Sequence, residues 1–176
     1  MKSVLISIQP KWCELIANGK KTVEVRKTKP KIDVPFKCYI YETKGKLKWC
    51  NKCKDPCERP YPNCACHEGW GKVIGEFVCD KIAGEGETVR GCTGLSMEEL
   101  QDYCDGKDIY GWHISDLKIY DKPKELREFK SVKVINRYHK KEYDKYEKLS
   151  HSNRVQVTYF DRPPQSWCYV KELQNG

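Results

Sequence analysis

No apolar stretch in this chain approaches the roughly 20 residues that a membrane-spanning helix requires, so we expect no membrane among its partners. A secretory leader is not expected either. The opening Met1–Leu15 has one Lys and a short apolar run before Gln9, Pro10 and Lys11 cut it off, and a cytoplasmic location follows as an expectation. Internal repeats are lacking, and strong helical periodicity is scarce, confined mainly to residues 10–18. That scarcity argues against a doubly wound α/β sheet. Aromatic residues are not scarce: 5 Trp, 11 Tyr and 4 Phe are too many for a disordered, solvated chain. With 176 residues and 20.6 kDa, the chain is long enough for one domain over 1–176 with its own core and no need of disulfide staples.

Cysteine is abundant, with 11 in all. In a cytoplasmic protein these are expected to stay reduced. Five, Cys13, Cys38, Cys79, Cys104 and Cys168, are scattered among apolar residues and read as small buried hydrophobes. Another five crowd together as Cys50, Cys53, Cys57, Cys64 and Cys66, with His67 adjacent, in a segment (44–70) of little apolar periodicity. Cys50 and Cys53 have the C-x2-C spacing by which one tight turn brings two thiolates to a tetrahedral ion. A structural Zn2+ held by four of these six residues is therefore expected, in an insert between strands; the alternative is a reduced, Cys-rich surface loop. A catalytic zinc is not expected, because no H-x-E precedes a P-C-x-x-C pair.

Acidic residues are sparse in the first third. Residues 1–54 carry 14 basic and 4 acidic side chains, a net of +10, against −7 for 55–110 and +5 for 111–176. A basic face of this kind suits phosphate backbones, although Lys-rich surface also serves plain solubility. Lys20, Lys27, Lys29 and Lys31 are candidate phosphate-facing positions. Tyr138, Tyr143 and Tyr146, interleaved with Lys140, Lys141, Lys145 and Lys148, can grip a single strand by charge and stacking or form a solvated helix.

Patterning predicts strands at 4–8, 22–26, 36–42, 71–80 (with Gly75 a bulge), 110–120, 155–159 and 167–170. Helices are predicted at 10–18, opened by Pro10 and closed at Gly19, and at 96–103, opened by the capping box Ser96-Met97-Glu98-Glu99. A helical turn is predicted from Pro123 to about Phe129. The balance is mainly β within an α+β class, read as a small barrel.

The most informative stretch is Gly19-Lys20-Lys21-Thr22-Val23-Glu24-Val25-Arg26. A helix end leads straight into a strand that carries Thr22, Glu24 and Arg26 on one face, with Lys21 at the junction. These groups can neutralise one another as an ion-pair network, or floor a polar pocket that reads a base edge or shifts a Lys pKa. The run resembles the G-x-K-x-x-E-x-R signature of the ASCH domain, in the PUA-like superfamily. Leu5–Cys13, Gly75–Asp80, Gly111-Trp112-His113-Ile114 and Arg162–Val170 also resemble segments of bacterial and phage members of that family.

The resemblance implies a PUA-like β-barrel with short flanking helices and a cleft lined by the signature, and a role in binding RNA or other nucleic acid. Nucleic-acid-binding positions are then Ser7, Gln9, Trp12, Lys20, Lys21, Thr22, Glu24, Arg26, Trp112 and His113, around a modified or unmodified base. Some family members are hydrolases, including N4-acetylcytidine amidohydrolases and ribonucleases. In an enzyme of that kind Lys21, Glu24 and His113 are the catalytic candidates, with Glu76, Glu98 or Glu99 conceivable as a further carboxylate. The amidohydrolase nucleophile, a Thr, falls at position 24, which is Glu24 here. A carboxylate lacks that chemistry but can still exchange protons with Lys21. A third class is a protein-interaction module built on the zinc insert.

Overall fold

The computed structural model describes residues 2–44, 69–84, 93–135 and 154–173. The expected zinc ligands Cys50, Cys53, Cys57, Cys64, Cys66 and His67 lie outside these residues, as does the Tyr/Lys-rich stretch around Tyr143. Along the chain the described elements are β1 (Lys2–Ile8), α1 (Pro10–Ala17), β2 (Val23–Arg26), β3 (Phe36–Glu42), β4 (Lys72–Cys79), β5 (Ile82–Ala83), α2 (Met97–Cys104), β6 (Tyr110–His113), β7 (Ser115–Glu125), β8 (Lys130–Ile135), β9 (Arg154–Tyr159) and β10 (Trp167–Lys171), with a 3-10 turn at Leu126–Glu128. No described helix is long and apolar enough to cross a membrane.

β1 sits in the middle of the larger sheet, parallel to β3 and antiparallel to β10. Val4, Ile6 and Ile8 enter one core and Leu5 the other, all buried. A strand covered on both faces needs no polar side, which explains the apolar run Val4-Leu5-Ile6. β3 alternates in the same way: Phe36, Cys38 and Ile40 join the first core, Tyr39 and Tyr41 the second. Each such aliphatic side chain gains about 1.5–3 kcal/mol on burial, so the centre of the sheet is the rigid base for everything attached to it.

Among the described residues the strands pair as two sheets, in the orders β7-β4-β3-β1-β10-β8-β9 and β2-β6-β5. The class is mainly β with two short α-helices, as expected. The pairings close no barrel among the described residues, because β7 and β9 are the two edges of the larger sheet. The small sheet lies on the first core, to which it contributes Trp112, with Ile114 joining the same core just after β6.

Local chemistry sets the route into β2. Pro10 occupies the first turn of α1, and Cys13 and Ile16 face the core. After Asn18, Gly19 takes a left-handed φ of 70°, a conformation that glycine adopts freely. Lys20 and Lys21 then donate their backbone N–H groups to Leu15 O at 2.9 and 3.0 Å. That tight closure delivers Lys21 at the base of β2.

Two predicted elements differ from the structure. The single strand expected at 110–120 is two strands in different sheets: the chain changes sheet at Ile114, whose N–H donates to Thr22 O at 2.8 Å, and Asp116 takes a φ of 46°. The helical turn expected from Pro123 begins only at Leu126, because β7 runs on to Glu125. Its place at the sheet edge makes the missing N–H of Pro123 harmless. The two-residue strand β5 and strand β8 carried too little pattern to be placed.

Gly75 is a bulge, as expected: the β4–β7 register shifts on both sides of it. A Cβ there would stand 2.5 Å from Lys118 O, a backbone atom. Gly75→Ala is therefore expected to cost about 1–3 kcal/mol through overpacking, read as a lower midpoint in urea. Gly84→Ala, where a Cβ meets open space, is expected to stay within about 0.5 kcal/mol of wild type. Equal midpoints for the two variants would show that β7 yields freely at this point.

Candidate functional site

Six segments converge here: the end of β1, the start of α1, β2 with Lys21 before it, Thr43 just after β3, the stretch from Leu95 into α2, and the loop before β10. They line an open-sided cavity of about 470 Å³, within the range of small-molecule sites. Ser7, Gln9, Trp12, Lys21, Glu24 and Arg26 all line it, so six of the ten expected binding positions meet in one place.

The floor is a chain of three charges. Glu24 Oε2 lies 3.3 Å from Lys21 Nζ, and Glu24 Oε1 lies 2.9 Å from Arg26 Nη2. The side chains are 3%, 8% and 11% exposed for Lys21, Glu24 and Arg26. Burial of this depth is tolerated only where the charges are paired and their remaining polar atoms are hydrogen-bonded. Lys21 meets that condition in full. Its ammonium also donates to Val23 O at 2.8 Å and Thr93 O at 2.5 Å, so its three donors have three acceptors. Burial pulls the Lys21 pKa below its ordinary value; Glu24 opposes that shift and Arg26 adds to it.

Arg26 is the less complete partner. Nη2 also donates to Ser7 O at 2.6 Å, and Nη1 reaches Ser166 Oγ at 3.4 Å. Its buried Nε has no hydrogen-bond partner among the described residues. Each Glu24 oxygen has one cationic partner, and a carboxylate oxygen has two lone pairs. Glu24 therefore keeps acceptor capacity for a third group, whereas the ammonium of Lys21 is fully engaged.

Two aromatic rings stand on the walls. Trp12 has Lys11 Nζ at 4.0 Å and Lys21 Nζ at 5.3 Å from its ring centroid. Tyr103, near the end of α2, carries Lys27 Nζ at 5.2 Å, and burial pushes its phenol pKa up. Gly94, with φ 76°, packs so closely on Trp12 and Leu15 that a Cβ would stand 3.1 Å from both. The last wall, Pro163-Pro164-Gln165, is stapled to β1: Ser7 Oγ donates to Pro164 O at 2.6 Å, and Ser7 N to Ser166 O at 2.8 Å.

The other expected positions lie elsewhere. Trp112 is fully buried, edge-on to Phe36 and Trp167 at 5.8 Å each, and is a core residue. His113 is exposed, with Nδ1 2.6 Å from Asp80 Oδ1, and is not among the cavity-lining residues. Lys20 is exposed and Thr22 half-buried, and neither lines the cavity. Of the conceivable further carboxylates, Glu76 accepts from Tyr120 and pairs with Lys37. Glu99 closes the capping box with Ser96, and Glu98 is exposed at the start of α2; none of the three lines the cavity. Thr43, Leu95, Tyr103 and Gln165 do line it and were missed. Only Gln165 stood in a segment already singled out, and nothing in the pattern near Tyr103 marks a site.

A family model described as the ASCH domain matches residues 6–159. No curated protein matches the chain. Among solved structures, the chain is similar to the ASCH protein of Zymomonas mobilis, with 20% identity over 97% of this chain and 88% of that one and a TM-score of 0.49. Two single-substitution variants of that protein give 20% identity and TM-scores of 0.48 and 0.46; the pairings cover 97% of this chain and 89% of the first variant, and 91% of both chains for the second.

Glu24→Gln leaves two buried cations without a carboxylate and is expected to cost about 3–5 kcal/mol in urea unfolding. Lys21→Met is expected to cost less, because Arg26 still balances Glu24. The pH dependence separates the two states of Lys21. The folded protein gives up the Lys21 proton at lower pH than the unfolded chain, whose pKa is near 10.5. Across that interval the unfolded state binds more protons, so stability rises with pH. Wild-type stability relative to Lys21→Met is therefore expected to rise from the depressed pKa up to about 10.5. A flat difference would contradict the burial cost assigned to Lys21.

Proposed function

The chain belongs to the ASCH domain family, a PUA-like family commonly associated with nucleic acids, and we propose that its cavity receives one nucleobase, modified or unmodified, from RNA. The observation that carries this reading is Glu24: a carboxylate fixed between two cations, facing a cavity of about 470 Å³, with acceptor capacity to spare. Such a group suits the amino donors on a base edge. Arg26 is held by Glu24, Ser7 and Ser166, so in this reading it aims Glu24 rather than reading the base itself. Trp12 supplies a wall for stacking, and the basic N-terminal third draws in the polyanion.

A stacked base is worth about 1–3 kcal/mol. Trp12→Ala is thus expected to weaken binding of single-stranded RNA by about 5- to 150-fold in calorimetric titration, while circular dichroism stays that of wild type. Unchanged affinity in a folded Trp12→Ala protein would refute the cavity as the base site.

One observation favours a second reading, hydrolysis of a modified nucleoside or of RNA. Lys21 and Glu24 are 3.3 Å apart in the cavity wall, with Lys21 pulled toward its neutral form, and two such groups can exchange a proton. A Thr nucleophile has no counterpart in the cavity at position 24, and Lys21 has to release a carbonyl before it can accept a proton. Chromatographic assay of N4-acetylcytidine and RNA decides the matter. Turnover by wild type that disappears in folded Lys21→Met supports hydrolysis, and no turnover by wild type removes that reading.

A further inference from the structure

We propose that the cavity takes its base from within a phosphodiester strand, whose phosphates are held at the rim by Lys11, Lys27 and Arg162; this rests on the base-binding reading above. A cation stands beside each of three cavity walls, and each comes from a different part of the chain. Lys11, on α1, has its ammonium 4.0 Å from the ring centroid of Trp12 and a side chain that is 60% exposed. Lys27, immediately after β2, is 5.2 Å from the Tyr103 ring. Arg162 is exposed and directly precedes the wall residues Pro163 and Pro164.

These cations are poorly compensated. Lys11 has only a loose pairing with Glu99 at 4.0 Å, and neither Lys27 nor Arg162 has a carboxylate partner among the described residues. Inside the cavity Glu24 already answers two cations, so it does not offset the rim. A free nucleoside brings no charge to such a rim, whereas a strand brings one negative charge per nucleotide. Each ammonium rests beside a ring that lines the cavity, and in this proposal the phosphates on either side of an inserted base meet Lys11 and Lys27. The Arg162 guanidinium matches the two free oxygens of a phosphodiester as a fork. The positive path continues past Lys27 to exposed Lys29, which stands 5.2 Å from the Tyr110 ring.

The test compares the four ribonucleosides with the matching homopentanucleotides of RNA by calorimetry between about 50 and 200 mM salt. Wild type, Lys11→Gln, Lys27→Gln, Arg162→Gln and the triple variant are titrated. Pentanucleotides are expected to bind at least about tenfold tighter than the nucleosides. Each substitution is expected to make the slope of log K against log salt shallower by about 0.7, the share of one phosphate in a single strand, with nucleoside affinity unchanged. Pentanucleotide affinity equal to that of the nucleosides, or indifferent to all three substitutions, overturns the proposal. If pentanucleotides respond to the rim substitutions but nucleosides do not bind and Trp12→Ala changes nothing, the base pocket itself has failed, and the proposal falls with it. If nucleosides bind in a Trp12-dependent way and the rim substitutions are silent, the pocket stands and only the strand is refuted.

Discussion

Everything at the site depends on the pairing of the Glu24 carboxylate with two buried cations. Removing a charge from water costs several kcal/mol, and the attraction of a partner repays it only with good geometry. The protein meets that demand with the backbone. Val23 and Thr93 carbonyls complete the shell of Lys21, and the Ser7 carbonyl takes a second bond from Arg26. Each of these acceptors belongs to a different segment. The ion chain therefore ties the end of β1, strand β2 and the approach to α2 into one unit, and the cavity walls follow from the same bonds. The pairing that neutralises the three charges also fixes the position of the carboxylate in the cavity wall.

The precision of that arrangement comes from the sheet behind it. β1 is buried on both faces, so its C-terminal end at Ser7 has little freedom. Ser7 then uses its N–H, its hydroxyl and its carbonyl at once, on Ser166, Pro164 and Arg26. A single residue thus fixes one wall of the cavity and one partner of the floor. Ser7 lines the cavity, and by giving its hydroxyl proton to the Pro164 carbonyl it also holds the loop.

Elements with a strong local signal were legible in the sequence. The alternation that put Glu24 and Arg26 on one face of a strand, the capping box at Ser96, the Gly19 stop of α1 and the bulge at Gly75 all rest on chemistry within a few residues, and all four stand. What could not be read came from distance along the chain. Trp112 and His113 follow Gly111 in an inviting motif, but burial turns one into core and a contact with Asp80 occupies the other. Tyr103 became a wall residue because α2 packs Leu100 against Val25 and Ile109, a contact that no local pattern announces. The switch between sheets at Ile114 has the same origin, a hydrogen bond to Thr22 made across more than ninety residues.

The central claim is that a base sits between the Glu24 carboxylate and the Trp12 ring. Ultraviolet cross-linking of the protein to a single-stranded RNA, followed by mass spectrometry of the digested adducts, tests it most directly. The expected outcome is a nucleotide joined to Trp12 or Tyr103, the two aromatic rings of the cavity. Adducts confined to rings outside it, such as the exposed Tyr159, would contradict the claim.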